Sequence, residues 1–233
     1  MNNRLQTAYP GYAGSGALAE QRNRVLRNTY WLLALSLVPT VLGAWVGVST
    51  GIMRAMGPGI TLGVFLIGAF GLMFAIEKTK NSAAGVPVLL GFTFFMGLML
   101  SGILSVALSL SNGGSIIMMA ALGTAGIFFG LASYAAVTKR DFTNMGKGLL
   151  IGLVMVIVAS VANIFLQMPA LSLTISTICV GLFSLFILYD LQRVMRGGET
   201  NYISAALSIY LSLYNLFVNL LQLLMVFTGG SRE

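Results

Sequence analysis

The sequence predicts an all-α integral membrane protein, a bundle of seven transmembrane helices. Three observations lead there. Hydrophobic residues make up 57% of the 233 residues and charged residues only 8%, where a soluble domain averages about 25% charged. Seven apolar runs, at about 30–48, 58–76, 83–110, 114–137, 148–166, 169–191 and 203–228, approach or exceed the roughly 20 residues that a helix needs to cross a bilayer. The basic residues gather in alternate links between those runs, as the positive-inside rule requires of a multi-pass chain.

Residues 1 to about 28 precede the first run. They are small and polar at first (Tyr9, Pro10, Gly11, Gly14, Ser15, Gly16), then charged (Glu20, Arg22, Arg24, Arg27). The first half has no apolar period and reads as a disordered tail, with a short polar helix from about Ala17 feeding the first span. The domain division is therefore a tail over 1–28 and a membrane domain over 29–229. The first run carries Trp31 and Trp45 near its ends, as interfacial anchors. The third run is long enough to tilt. Runs of this length exclude barrel strands, so backbone polar groups must be satisfied within helices. No signal peptide is present, because the first apolar run is too long and too far from the start.

Orientation follows from the links. Arg4, Arg22, Arg24 and Arg27 in the tail, Lys78 and Lys80, then Lys139, Arg140 and Lys147, then Arg193 and Arg196 fall on one side, against Arg54 and Arg232 on the other. The N-terminus is thus expected in the cytoplasm and, after seven spans, Glu233 outside. The net charge of +7 belongs to this topology and to anionic lipid, not to nucleic acid.

Small residues at helical spacing, Gly126 with Gly130 in the fourth run and Gly68 with Gly71 in the second, are expected to let helices approach closely, within the bundle or across a dimer face. Between the sixth and seventh runs, Gly197-Gly198 can end a helix in the left-handed conformation and Thr200 or Asn201 can cap the next. These two helices should form an antiparallel hairpin.

The chemistry available is narrow. Histidine is absent, which excludes a Ser–His–Asp triad, a Cys–His pair and a histidine metal site. Cys179 is the lone cysteine, so no internal disulfide forms and an activated thiol lacks its base. The thirteen methionines are scattered and read as soft packing. No phosphate loop or paired-carboxylate site is present; neither an enzyme nor a cofactor or metal site is expected. Glu77, Lys78 and Lys80 read as a solvated edge, and Asn163 with Gln167 as interhelical or interfacial polar contacts.

Asp190 is the exception, the one carboxylate that interrupts a long apolar run. Intramembrane acids are costly and are candidates for function. Arg193 and Arg196 follow at i+3 and i+6. A rise of about 1.5 Å per residue brings Ser212 of the seventh run to a comparable depth across the hairpin. Two readings stand: a structural ion pair with Arg193, or an ion- or proton-sensing acid facing Ser212. The seventh run adds a stripe of Ser204, Ser208, Ser212, Asn215, Asn219 and Gln222, either helix-packing hydrogen bonds or the wall of a water-filled cavity.

At these residues the chain resembles the bacterial YccA branch of the Bax inhibitor (transmembrane Bax inhibitor motif) family. The specific stretches are Gly197-Gly198-Glu199-Thr200-Asn201-Tyr202 and Ser212-Leu213-Tyr214-Asn215-Leu216-Phe217-Val218. Supporting stretches are Val25-Leu26-Arg27-Asn28-Thr29-Tyr30, Gly123-Thr124-Ala125 and Val161-Ala162-Asn163-Ile164-Phe165-Leu166. The resemblance runs from about residue 25 to the end. It implies seven helices in the bacterial inner membrane, with a periplasmic C-terminus. It also implies association with the FtsH ATP-dependent membrane protease as substrate and modulator, slowing degradation of other membrane proteins. Other family members are pH-sensitive calcium leak channels with two facing aspartates. Carried over by position, the first falls on Asp190 and the second on Ser212, which cannot ionise. Two close carboxylates titrate in separated steps and can gate by pH; an Asp opposite a Ser cannot do so by that coupling. The family's Gly-Pro in the third helix stands here as Ser101-Gly102. Both departures favour the protease-modulator branch over calcium leak; calcium or protons remain the ions that the alternative, a pH-sensitive cation channel, would handle. The polar tail, to about residue 24, would be the handle that a processive protease grips.

Overall fold

A computed structural model describes residues 10–229, with side chains from Ala19 to Thr228. Tail residues 1–9 and the C-terminal Arg232 and Glu233 lie outside it. The described chain is all α: α1 (Pro10–Thr50), α2 (Ile52–Thr79), α3 (Gly85–Leu108), α4 (Gly113–Val137), a 3₁₀ turn at Thr143–Met145, α5 (Gly146–Leu166), α6 (Pro169–Met195) and α7 (Tyr202–Gly229). Seven of these helices are long and apolar enough to cross a membrane, one for each apolar run. The backbone from Pro10 to Asn28 is helical and continuous with the first span, where the sequence suggested helix only from about Ala17. Val25 and Leu26, inside the part that the sequence did expect to be helical, pack against Val194, Ala205 and Tyr202 at the α6–α7 hairpin.

α1 and α3 form the closest seam. A Cβ on Gly97 would overlap the carbonyl oxygen of Thr40, one on Gly43 would overlap that of Phe94, and one on Gly47 would strike the Ser101 side chain. The backbones therefore touch directly, as small residues in membrane helices permit. Gly68 meets the Phe95 ring, so α2 also approaches α3 over a glycine. Gly71, Gly126 and Gly130 have open space where a Cβ would go, and Gly126 and Gly130 are exposed. The expected close approach is thus made by Gly68 but not by the α4 pair; the tightest small-xxx-small pair is Gly43 and Gly47.

α6 and α7 fill the centre, with Ile187, Leu191, Ile203, Ile209 and Leu216 fully buried together with Ile76, Leu89 and Phe92 from α2 and α3. Tyr210 of α7 fixes this centre to α1. The Thr40 hydroxyl donates to the Ser36 carbonyl at 2.8 Å, so the Tyr210 hydroxyl, 2.9 Å from Thr40 Oγ1, is the donor between them. Tyr214 donates to the Met96 carbonyl of α3 at 3.3 Å. Apolar burial gives little drive for helix association in lipid, and such buried hydrogen bonds specify which helices meet.

The hairpin forms as its residues suggest. Gly197 has φ 79°. The Gly198 N–H donates to the Arg193 carbonyl at 2.8 Å and the Gly197 N–H to the Val194 carbonyl at 3.1 Å, a Schellman end to α6. Asn201 caps α7, its Oδ1 accepting from the N–H groups of Ile203 and Ser204 at 2.9 and 3.1 Å. Asn163 and Gln167 do not bridge helices. They end α5: Gln167 takes the left-handed conformation at φ 50° and Asn163 Oδ1 accepts from the Met168 N–H at 3.1 Å.

Candidate functional site

Four helices enclose a cavity of about 810 Å³. α7 lines it with Ser208, Ser212, Asn215, Asn219 and Gln222, α6 with Ser172, Ser176, Cys179, Tyr189, Asp190 and Arg193, α5 with Ser160 and Asn163, and α2 with Phe70 and Met73. The polar stripe of α7 therefore does both things that its sequence allowed. It lines a cavity, and it also bonds within the bundle. Gln222 donates to Ser172 Oγ of α6 at 2.9 Å, and Asn215 and Asn219 donate to the carbonyls one turn earlier, of Leu211 and Asn215, each at 2.8 Å. Ser204 falls off the cavity, and its buried hydroxyl finds no partner.

Asp190 is buried, 8% exposed. Ser212 Oγ lies 3.4 Å from its Oδ2 and 3.1 Å from the Ser208 carbonyl. One hydroxyl proton serves both acceptors, so the carboxyl group is held loosely. The two arginines turn elsewhere. Arg193 pairs with Glu199 at 3.1 Å and Arg196 with Asp141 at 3.2 Å. Among the described residues no cation forms an ion pair with Asp190; Arg193 acts on it only as a nearby charge. Once Asp141 and Glu199 are seen beside the hairpin, the arginines have better partners than an acid inside the span, because solvated pairs avoid the cost of burying charge.

A second cavity of about 590 Å³ lies at the basic end of the bundle, lined by Arg22, Asp141, Thr143, Tyr189, Arg193, Arg196 and Gly198. Tyr189 and Arg193 belong to both walls, so only these two side chains are common to the membrane cavity and the outer one. Asp141 is fixed in charge here. Thr143 bonds it through both Oγ1 and N–H, at 2.6 and 2.9 Å, and these bonds, with Arg196 beyond them, hold its carboxyl below the ordinary carboxylate range.

Three residues at this end escaped the sequence reading. Gln192, 1% exposed, accepts from the Phe142 N–H at 2.8 Å and donates to the Arg140 carbonyl at 3.0 Å, which fastens the α4–α5 link to α6. Arg196 donates to the same carbonyl at 2.7 Å. Tyr189 and Asp141 complete the set. Gln192 was discoverable: a polar side chain two residues from Asp190 in an apolar run requires a partner.

No group of three Cys, Asp or Glu residues converges among the described residues. The arrangement defines a multi-pass membrane protein of seven helices around a polar cavity with one buried acid. The family model described as Inhibitor of apoptosis-promoting Bax1 matches residues 22–229, and the chain belongs to that family. It is 42% identical over 202 residues to the Modulator of FtsH protease YccA of Escherichia coli strain K12, covering 87% of this chain and 90% of that one. An uncharacterised protein of Pseudomonas aeruginosa is 42% identical over 214 residues, 91% of this chain and 94% of its own. One from Neisseria meningitidis serogroup A is 38% identical over 215 residues, 89% and 93% of the two chains.

Proposed function

We propose that this protein is an inner-membrane partner and modulator of the FtsH protease, slowing degradation of other membrane proteins. The observation that carries this is the 42% identity, over nearly the whole of both chains, to a protein named as a modulator of FtsH protease. The basic end of the bundle faces the cytoplasm on this reading, with the tail and the three positively charged links, and the C-terminus faces the periplasm. A processive protease pulling from the N-terminus meets resistance early. Val25 and Leu26 are packed on the hairpin. The links beyond are cross-tied by Gln192, by Asn201 and by the Arg193–Glu199 and Arg196–Asp141 pairs. A chain that is gripped but slowly extracted occupies the protease, and other substrates wait. Deleting residues 2–20 is expected to slow FtsH-dependent turnover of this protein several-fold while its membrane domain still assembles. Pulse-chase in membranes with and without active FtsH measures this. Unchanged turnover would exclude the tail as the handle, and failure of the full chain to co-purify with FtsH would remove the modulator reading itself.

One observation favours a second reading, a cation leak: Asp190 and Ser212 face each other in a polar cavity that shares walls with the cavity at the basic end. Calcium flux in proteoliposomes separates the two. If this reading holds, flux depends on pH and Asp190→Asn lowers it at least about tenfold, the scale of one lost charge-assisted contact. Flux indistinguishable from protein-free vesicles removes it.

A further inference from the structure

We propose that the cavity between α2, α5, α6 and α7 binds a single-chain amphiphile with a protonated amine head, which it admits sideways from the bilayer. Two independent features lead to this. The first is an opening. α2 packs on α3 and the edge of α1, α5 packs on α6 and the short 3₁₀ turn, and α2 and α5 share no appreciable packing surface. Yet both line the same cavity. Phe70 of α2 and Ile157 of α5 are cavity residues that are also 67% and 52% exposed. Phe70 lies nine residues before the end of α2 and Ile157 eleven after the start of α5. At 1.5 Å per residue both sit about 15 Å from the basic end, well inside a hydrocarbon layer about 30 Å thick. The gap between them opens on acyl chains, not on water.

The second feature is the sign of the hydrogen bonding on the cavity floor. A backbone carbonyl only accepts, so the amide ends of Asn215 and Asn219 that meet carbonyls at 2.8 Å are their NH₂ groups. Their Oδ1 atoms are left without a donor among the described residues. The Ser212 proton is already shared, and Asp190 Oδ1 has no donor either. Oxygens are thus what this floor offers to an occupant. An ammonium head brings three donors and a positive charge; a carboxylate brings acceptors and repulsion from Asp190, and a hydroxyl brings one donor. Arg193, the cation on the wall, is matched by Glu199 at 3.1 Å. The other half of the cavity is apolar, with Met73, Leu153 and Ile157 beside the gap, and a volume of about 810 Å³ suits a small organic ligand. A bare inorganic cation would use the oxygens and leave that apolar half unmatched. An alkylamine uses both, its head on the floor and its tail passing out between Phe70 and Ile157. This inference is independent of the FtsH reading.

Cys179, the lone cysteine, lines the cavity and reports on it. The full chain in lipid nanodiscs would be labelled with N-ethylmaleimide, alone and with dodecylamine, dodecanoate, dodecanol or tetramethylammonium. Dodecylamine is expected to slow Cys179 labelling in a saturable manner, while the other three have little effect. Ile157→Trp, which narrows the gap, is expected to slow labelling without any amine. Asp190→Asn is expected to weaken the dodecylamine effect by about tenfold in concentration. Asn215→Leu, about one turn from Ser212 on the same stripe, serves where that variant does not assemble, and should weaken it in the same direction. A Cys179 that reacts only after denaturation overturns the opening. Equal protection by dodecanoate or dodecanol overturns the amine head, and equal protection by tetramethylammonium overturns the need for a tail. Undiminished protection in both variants overturns the assignment of the floor.

Discussion

Gly97→Val is expected to prevent accumulation of the folded protein. The substitution is apolar and lies in an apolar helix, so composition and hydropathy do not register it. Its effect comes from the α1–α3 seam. Gly97 faces the Thr40 carbonyl and the Ala44 N–H of α1 so closely that any Cβ requires the helices to part. Both neighbours are backbone and cannot rotate away. Parting them also loosens Thr40, which accepts the Tyr210 hydrogen bond at 2.9 Å, and so disturbs the fixing of α7. Overpacking a well-filled site costs about 1–3 kcal/mol. Gly97→Ala should fall in that range, and the two methyl groups of valine should exceed it. The control is Gly126→Ala, a glycine with open space at its Cβ. There the gain in helix propensity, about 0.5–1 kcal/mol, is the only expected effect. The yield of folded protein from membranes reads Gly97→Val, and unfolding by titrated denaturing detergent compares Gly97→Ala with Gly126→Ala. A Gly97→Ala protein as stable as Gly126→Ala would show that α1 and α3 are not in backbone contact.

That contrast also marks what the sequence could convey. Apolar length specifies seven helices, because the bilayer sets one dimension for all of them; the last five runs begin within two residues of their helices, while α1 and α2 begin well before theirs, at Pro10 and Ile52. The hairpin was legible for a similar reason. The chemistry of Gly197 and Asn201 is local, and a glycine that ends a helix or an asparagine that starts one acts over three or four residues. Which glycines touch another helix was not legible. Gly126 with Gly130 and Gly43 with Gly47 have the same spacing, and only the rotation of each helix about its axis decides which pair faces a neighbour. In lipid an apolar face reads the same outward as inward, so periodicity carries little of that rotation. The arginines show the same limit. The i,i+3 spacing joins Asp190 to Arg193 on paper, but the partners chosen, Glu199 and Asp141, lie across a turn and across a link 55 residues distant. Depth along the helix was legible and put Ser212 level with Asp190. A cavity along the α7 stripe was one of its two readings; that α2 and α5 would form the other walls was not legible, since the gap is made by the absence of packing between them.

Asn201→Ala is expected to cost more than any other single truncation of an accessible polar side chain in the described bundle. Its Oδ1 holds the second and third N–H groups of α7, those of Ile203 and Ser204. Its Nδ2 donates to the Lys80 carbonyl at 3.0 Å and to Asn81 Oδ1 at 2.8 Å, joining the α2–α3 link to the hairpin over about 120 residues of sequence. Losing the cap costs about 1 kcal/mol, and leaving the partly enclosed carbonyl unpaired adds about 1–3 kcal/mol; the expected total is about 2–4 kcal/mol. Asn201→Ser separates the parts, because a serine hydroxyl caps a helix but is too short to reach the α2–α3 link; it should recover only the cap. Asn201→Asp keeps an acceptor for the cap and sets a carboxylate against two oxygens, so it should be no better than Ser despite being nearly isosteric. If Asn201→Ala and Asn81→Ala are additive in the double variant, the side-chain bond between them contributes nothing. A coupling of at least about 0.5 kcal/mol is expected for residues in contact. The link matters beyond stability on the modulator reading. The hairpin carrying Asn201 is the surface on which Val25 rests, so a looser hairpin lets the first span be drawn out more readily. Faster FtsH-dependent loss of Asn201→Ala than of Asn201→Ser, at equal synthesis, is the expected result. Equal loss of the two would place the protease's resistance elsewhere in the bundle, at the α1–α3 seam.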